Sequence, residues 1–214
     1  MAEGVVKFDA KCTEPKHSLD EKVISELEKL RKVLVEKGLL GKDSERYGGY
    51  AYGNVSQRIG LATALKGHRQ FVITATQTSD IPHLTAKGYV IIVEYDAENN
   101  SVHYEGFEKP SSEAMTHGSI YDQSPNIRCV VHVHSPEIWG KRNELGLPQT
   151  AENVLYGSPE MAHEVTRLFR ETNVGKLGIS ATGGHEDGVF SFGRTIKDAS
   201  EILLTYFERA KDLR

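Results

Sequence analysis

The stretch that most constrains this chain is Arg128-Cys-Val-Val-His132-Val-His134-Ser135, a short apolar run carrying two histidines two residues apart. The β-branched residues Val130, Val131 and Val133 favour a strand. Alternate side chains of a strand share a face, and two steps span roughly 6.6 Å, so two imidazoles can converge on one ion at about 2.0–2.1 Å from each nitrogen. Taken alone, the pair fits a metal site or two histidines on the wet face of a strand.

At 214 residues the chain suits one domain with a real core. A net charge of -4 argues against a nucleic-acid footprint. No apolar run reaches the roughly 20 residues of a membrane span, and the first residues do not read as a signal peptide. Cys12 and Cys129 stand far apart with no C-x-x-C spacing. A disulfide framework is not expected, and a cytoplasmic location is.

Read in order, Val5-Val-Lys-Phe8 fits a short strand in an N-terminal extension of residues 1–17. Ser18-x-x-Glu21 has the form of a capping box for a helix with an apolar stripe at Val23, Leu27, Leu30 and Leu34 and a stop at Gly38. The glycine-rich stretch from Tyr47 to Arg58 offers Asn54 and Ser56 as donors on a permissive backbone. It lacks the Walker lysine and reads as a turn or a ligand loop. Phe71–Thr76 is a strand, and Tyr89–Tyr95 and Val102–Gly106 form a hairpin across Asp96-Ala-Glu-Asn-Asn100.

Ser111-Ser112-Glu113 opens a helix, with a carboxylate that either complements the helix dipole or faces the histidine strand that follows. Ser158-Pro159-Glu160 opens another, whose apolar face is Met161, Val165, Leu168 and Phe169. Leu177–Ser180 is a strand, Val189–Phe192 the next, and Lys197–Leu213 the final helix. Between those strands lies Gly183-Gly184-His185-Glu186-Asp187-Gly188. His185 is either a turn histidine or a third ligand, with Glu186 or Asp187 in reach to orient it.

Together these motifs resemble the class II aldolase/adducin family. The resemblance is carried by Gly53-Asn-Val-Ser56, Ser111-Ser-Glu113, His132-Val-His134-Ser135, Tyr156-Gly-Ser-Pro-Glu160 and the turn around His185, from about residue 20 onward. It implies an α/β fold, three-layer α/β/α, with a central, largely antiparallel sheet flanked by helices. It also implies a C4 homotetramer with sites at subunit interfaces. His132, His134 and His185 then correspond to the ligands of Zn2+, or of Mn2+, Co2+ or Fe2+. Glu113 corresponds to the catalytic base and a fourth ligand of the empty site. Asn54, Ser111 and Ser112, with Gly53 and Thr74, correspond to the substrate-anion site.

The implied activity is lyase chemistry on a small hydroxy-carbonyl compound (a sugar or sugar-phosphate) through a metal-stabilised enediolate, with carbon–carbon cleavage preferred. Epimerisation, dehydration and decarboxylation use the same site, and a non-catalytic adducin-like binding module is the alternative of another class. The chain departs from the family pattern after its first long strand, where Thr74-Ala75-Thr76-Gln77 stands in place of Thr-Pro-Ser-Gly. It departs again at Ala51, where a threonine is common. An unphosphorylated hydroxy-ketone therefore competes with a sugar phosphate as substrate. A metal hydrolase of the H-x-H-x-D-H type fits poorly, because Ser135-Pro136-Glu137 follows His134.

Overall fold

A computed structural model describes residues 6–15 and 19–213. Its elements in chain order are β1 (Asp9–Thr13), α1 (Glu21–Glu36), β2 (Gly41–Lys42), β3 (Ala51–Tyr52), β4 (Asn54–Arg58), β5 (Phe71–Thr74), β6 (Tyr89–Asp96) and β7 (Ser101–Glu105). They continue with α2 (Ala114–Tyr121), β8 (Cys129–His134), α3 (Pro136–Gly140), α4 (Pro159–Glu171), α5 (Val174–Leu177), β9 (Ile179–Ala181), β10 (Gly188–Gly193) and α6 (Ile196–Asp212). Eight strands form one sheet in the order β1-β7-β6-β5-β4-β8-β10-β9. Every pairing in it is antiparallel except that of β1 with β7.

The sheet separates two helical layers, and the period of two in its strands assigns each side chain to one of them. On one face Leu27, Leu30 and Leu34 of α1, Ile138 of α3, and Leu203 and Phe207 of α6 pack on Val55, Val72, Val131, Val133 and Val189. On the other, Met115, Ile120 and Tyr121 of α2 and Val165 and Leu168 of α4 pack on Phe71, Ile73, Val90, Ile92, Val130, Phe190 and Phe192. This is the expected three-layer α/β/α arrangement around a largely antiparallel sheet. Among the described residues no helix is long and apolar enough to cross a membrane. Cys12 and Cys129 are both free thiols, the first exposed and the second buried.

Most element boundaries agree with the sequence pattern, and the differences have local causes. Ser18 and Val5 lie outside the described residues, so the capping box and the strand drawn through Val5 are only partly covered. The cap observed on α1 is Asp20, whose carboxylate accepts from the Lys22 amide at 2.8 Å. The first strand begins at Asp9, after Phe8 has turned its ring into the core. Gly38 does end α1, at φ 72°. Leu177 belongs to the short helix α5 rather than to a strand, and left-handed Gly178 separates it from β9.

His117 of α2 is fully buried, its Nδ1 2.7 Å from the Ser56 hydroxyl, which also lies 2.7 Å from the Tyr121 hydroxyl. Burial pulls its pKa down from 6.5 to about 3, because the apolar surroundings disfavour the imidazolium. The folded pKa is thus below the unfolded value, so the contribution to stability is intact above about pH 6.5 and is lost as pH falls from there toward 3. The loss proceeds at about 1.4 kcal/mol per pH unit. Between pH 7 and 5 the metal-free protein should lose about 2 kcal/mol more than a His117→Met variant in urea titrations. Equal losses in both would mean that His117 does not titrate with unfolding.

Candidate metal centre

β8 lies inside the sheet between β4 and β10, with His132 opposite Asn54 on one side and Phe190 on the other. Cys129, Val131 and Val133 point into the α1/α6 layer, so Val130, His132 and His134 face α2. The alternation that makes a good interior strand therefore delivers two imidazoles to one face, and they are 0% and 1% exposed. His185 approaches from the turn between β9 and β10. Glu113 approaches from the N-cap of α2, where its own amide donates to the Ser111 hydroxyl at 3.3 Å.

These four side chains meet at one place. The ligand atoms of His132, His134 and His185 all lie within 4.8 Å of one another. Glu113 Oε2 is 3.3 Å from His132 Nε2, and Glu113 Oε1 is 3.5 Å from His185 Nδ1. Glu113 is 1% exposed. His132 Nδ1 is 3.2 Å from the Val189 carbonyl, which can only accept, so Nδ1 carries the proton and Nε2 turns a lone pair toward the cluster. The His132 ring stacks on Phe190 at 4.3 Å between centroids. Burial, and then the neighbouring histidines, hold His132 and His134 well below the ordinary histidine pKa. Both are neutral at pH 7 and available as ligands.

The cluster suits a divalent cation by the chemistry of its donor set. Its convergent atoms are ring nitrogens of three imidazoles with the oxygens of Glu113 beside them. Three imidazole nitrogens would hold such an ion and keep a coordination position open. His132, His134 and His185 are the residues that would hold it.

The close-packed glycines show how the site is built. A Cβ on Gly183 would fall 2.2 Å from the Thr150 carbonyl oxygen, and one on Gly184 would fall 2.4 Å from that of Val154. The His185 turn therefore seats directly on the 150–154 backbone. Gly53, at φ 77°, brings the chain so near β8 that a Cβ would lie 2.3 Å from Leu40 and 3.0 Å from the His132 carbonyl oxygen.

Of the residues expected to hold an anion, Asn54 is buried across from His132, and its Oδ1 has no hydrogen-bond partner among the described residues. Ser111 and Ser112 are buried at the start of α2, and the Ser111 amide donates to the Thr74 carbonyl at 3.3 Å. The Thr74 hydroxyl accepts from the Val55 amide at 3.3 Å. By alternation with Phe71, Val72 and Ile73, its side chain is on the α1 side of the sheet. Ser56, offered by the sequence as a ligand donor, is used by His117 and Tyr121. Ser135 caps α3 through the Ile138 amide. Two of the positions that depart from the family pattern contact each other: Gln77, at φ 57°, accepts from the Ala51 amide at 3.0 Å and donates to its carbonyl at 3.3 Å.

Sequence reasoning did not find the aromatic wall of the site. Tyr47 presents its ring edge-on to His134 at 4.4 Å, Tyr52 lies 5.4 Å from the same ring, and Tyr156 lies 5.0 Å from His185. The repeated tyrosines at 47, 50 and 52 were the available signal, but nothing in their spacing says which of them turns inward. Glu186 is exposed. Asp187 is 3% exposed, and its carboxylate is engaged by the Tyr47 hydroxyl at 2.6 Å and by Arg46. Burial and that carboxylate push the Tyr47 phenol far above its usual pKa, so it stays a donor.

Comparisons with known proteins bear on the family and the fold. Residues 43–212 match the model of the class II aldolase and adducin N-terminal domain. A Mycoplasma pneumoniae protein named as a probable L-ribulose-5-phosphate 4-epimerase is 31% identical over 84 residues. That match spans 39% of this chain and only 33% of the relative. An L-fuculose 1-phosphate aldolase superposes with a TM-score of 0.66 at 21% identity, covering 92% of this chain and 87% of the other. A sugar-phosphate aldolase from Thermotoga maritima gives 0.67 at 19%, covering 90% and 94%, and an L-fuculose-1-phosphate aldolase from Thermus thermophilus gives 0.64 at 20%, covering 91% and 93%. At these identities the superpositions establish a shared fold. The family match over 43–212, laid on the three-layer sheet and its buried histidine cluster, makes this chain a member of the class II aldolase and adducin family.

Proposed function

We propose that residues 1–214 act as one domain and form a metal-dependent lyase that cleaves a carbon–carbon bond in a small hydroxy-carbonyl compound, a sugar or sugar phosphate. The observation that carries this reading is the meeting of three buried histidines, two on β8 and one in the turn between β9 and β10, with Glu113 from the start of α2. A scaffold module has no need of a buried carboxylate set against a convergent group of three imidazoles.

His132, His134 and His185 would hold the ion, which is Zn2+ or alternatively Mn2+, Co2+ or Fe2+. When bound, such an ion supplies Lewis-acid chemistry, drawing negative charge off a substrate carbonyl or hydroxyl oxygen. Glu113 would serve as the base: its oxygens border the cluster, and it takes a proton from the substrate and later returns it. Before substrate enters, Glu113 can stand as a fourth ligand. The fixed position of Glu113 follows from the start of α2, where Ser111 accepts its amide.

Ser111 and Ser112 would bind the polar end of the substrate together with Asn54, while Gly53 and Thr74 shape the backbone around them. The Ser111 oxygen already accepts one N–H, which orients it and leaves its O–H to donate. Asn54 Oδ1, buried and unpartnered, suits a substrate hydroxyl better than it suits a phosphate oxygen. The working form on this reading is a cytoplasmic homotetramer with sites completed at subunit interfaces. A second reaction on the same residues is 4-epimerisation, favoured by the local match to a protein named for that activity.

His132→Ala or His185→Ala should abolish stoichiometric metal in plasma mass spectrometry while leaving the far-ultraviolet circular dichroism unchanged. Metal retained at one per chain in both variants would contradict the ligand assignment. Glu113→Gln should keep the metal yet lower turnover by about 10²–10⁴-fold in a screen of metal-loaded protein against sugar phosphates and unphosphorylated hydroxy-ketones. A Glu113→Gln variant with full activity would remove Glu113 from the role of base.

A further inference from the structure

The loop ahead of β3 is locked onto both histidine-bearing ends of the site through one side chain, Asp187. Its carboxylate accepts from the Tyr47 hydroxyl at 2.6 Å and pairs with Arg46, whose side chain is 41% exposed. Its carbonyl accepts from the Ser135 amide at 2.8 Å, one residue beyond His134, and Asp187 itself stands two residues beyond His185. Tyr47 then lays its ring edge against His134. One residue therefore touches the end of β8, the His185 turn and the loop that covers His134.

The backbone singles out the same pair. Non-glycine residues with positive φ are few among the described residues, and two of them, Tyr47 at 52° and Asp187 at 62°, are hydrogen-bonded to each other. Aspartate tolerates the left-handed region, whereas a bulky tyrosine there is a genuine outlier. Such a conformation persists when its surroundings over-determine it, and it clusters at functional sites. Arg46 and the Tyr47 hydroxyl supply that restraint at 187, and Asp187 supplies it at 47.

We propose that Tyr47 and Asp187 are a pair of positioning residues that fix His134 and His185 at the separation a divalent cation requires. Their bond therefore sets metal affinity without either residue ligating the ion. The pair acts on His134 by ring contact and on His185 through the turn that carries it. This inference rests on the metal-site reading above.

The test uses Co2+ as the probe, with chelator competition for affinity and the visible absorption bands of the bound ion as a report on ligand geometry. Tyr47→Phe keeps the ring against His134 and removes only the hydroxyl. Asp187→Asn keeps the backbone bond to Ser135 and removes the charge. Each should weaken Co2+ binding by about 10–100-fold and shift the bands, the range usual for residues that orient ligands. Tyr47→Phe should cost less in the Asp187→Asn background than in the wild type, since the charge-assisted bond it removes is already weakened there. Unchanged affinity and spectrum in Tyr47→Phe, or losses that add in full, would overturn the proposal. If Asp187→Asn does not fold, Tyr47→Phe alone decides through the same two readouts. Loss of Co2+ in His132→Ala with wild-type behaviour in Tyr47→Phe would sink this pair alone. Retention of Co2+ in His132→Ala would instead sink the metal-site reading beneath it.

Discussion

A carboxylate and three imidazoles share a space that is almost closed to water, and the rest of the structure is arranged so that this is tolerable. His132 and His134 are 0% and 1% exposed because β8 is an interior strand, covered by α2 above and paired with β4 and β10 at its sides. Burial keeps His132 and His134 unprotonated at pH 7, which leaves them electron-pair donors rather than cations. The same burial that stabilises the sheet thus prepares the ligands.

The two faces of the sheet divide the work. The α1/α6 side is filled by leucine and valine side chains and carries stability in the ordinary way. The α2 side is apolar around Phe71, Ile73, Val90 and Ile92, and then turns polar where Asn54, His132, His134 and Glu113 come together. Close glycine contacts join these parts. Gly53 brings the start of β4 close to β8, and Gly183 and Gly184 seat the His185 turn on the 150–154 backbone, so the site is joined through close main-chain contacts. Tyr47, Tyr52 and Tyr156 then wall the histidines off with rings.

Much of this was legible from residue patterns. The V-V-H-V-H run declares a strand with both histidines on one face, and S-S-E before an eight-residue helix declares a carboxylate at its start. Strand and helix ends were readable wherever a cap or a glycine marks them, as at Gly38. What could not be read depends on contacts distant in sequence. Gln77 and Ala51 stand out separately as departures from the family pattern, yet only the fold shows that one amide side chain bonds both backbone groups of the other. Glu186 and Asp187 looked alike beside His185, but one is exposed and the other is drawn inward by Tyr47, 140 residues away. The left-handed backbone at Tyr47 has no sequence signature, because tyrosine is not a residue that favours it.

The central claim is that this buried cluster is built for a cation, and calorimetric titration of the metal-free protein with Zn2+ tests it most directly. The account predicts one tight, saturable site per chain. No saturable uptake, or only weak binding of several ions per chain, would contradict it.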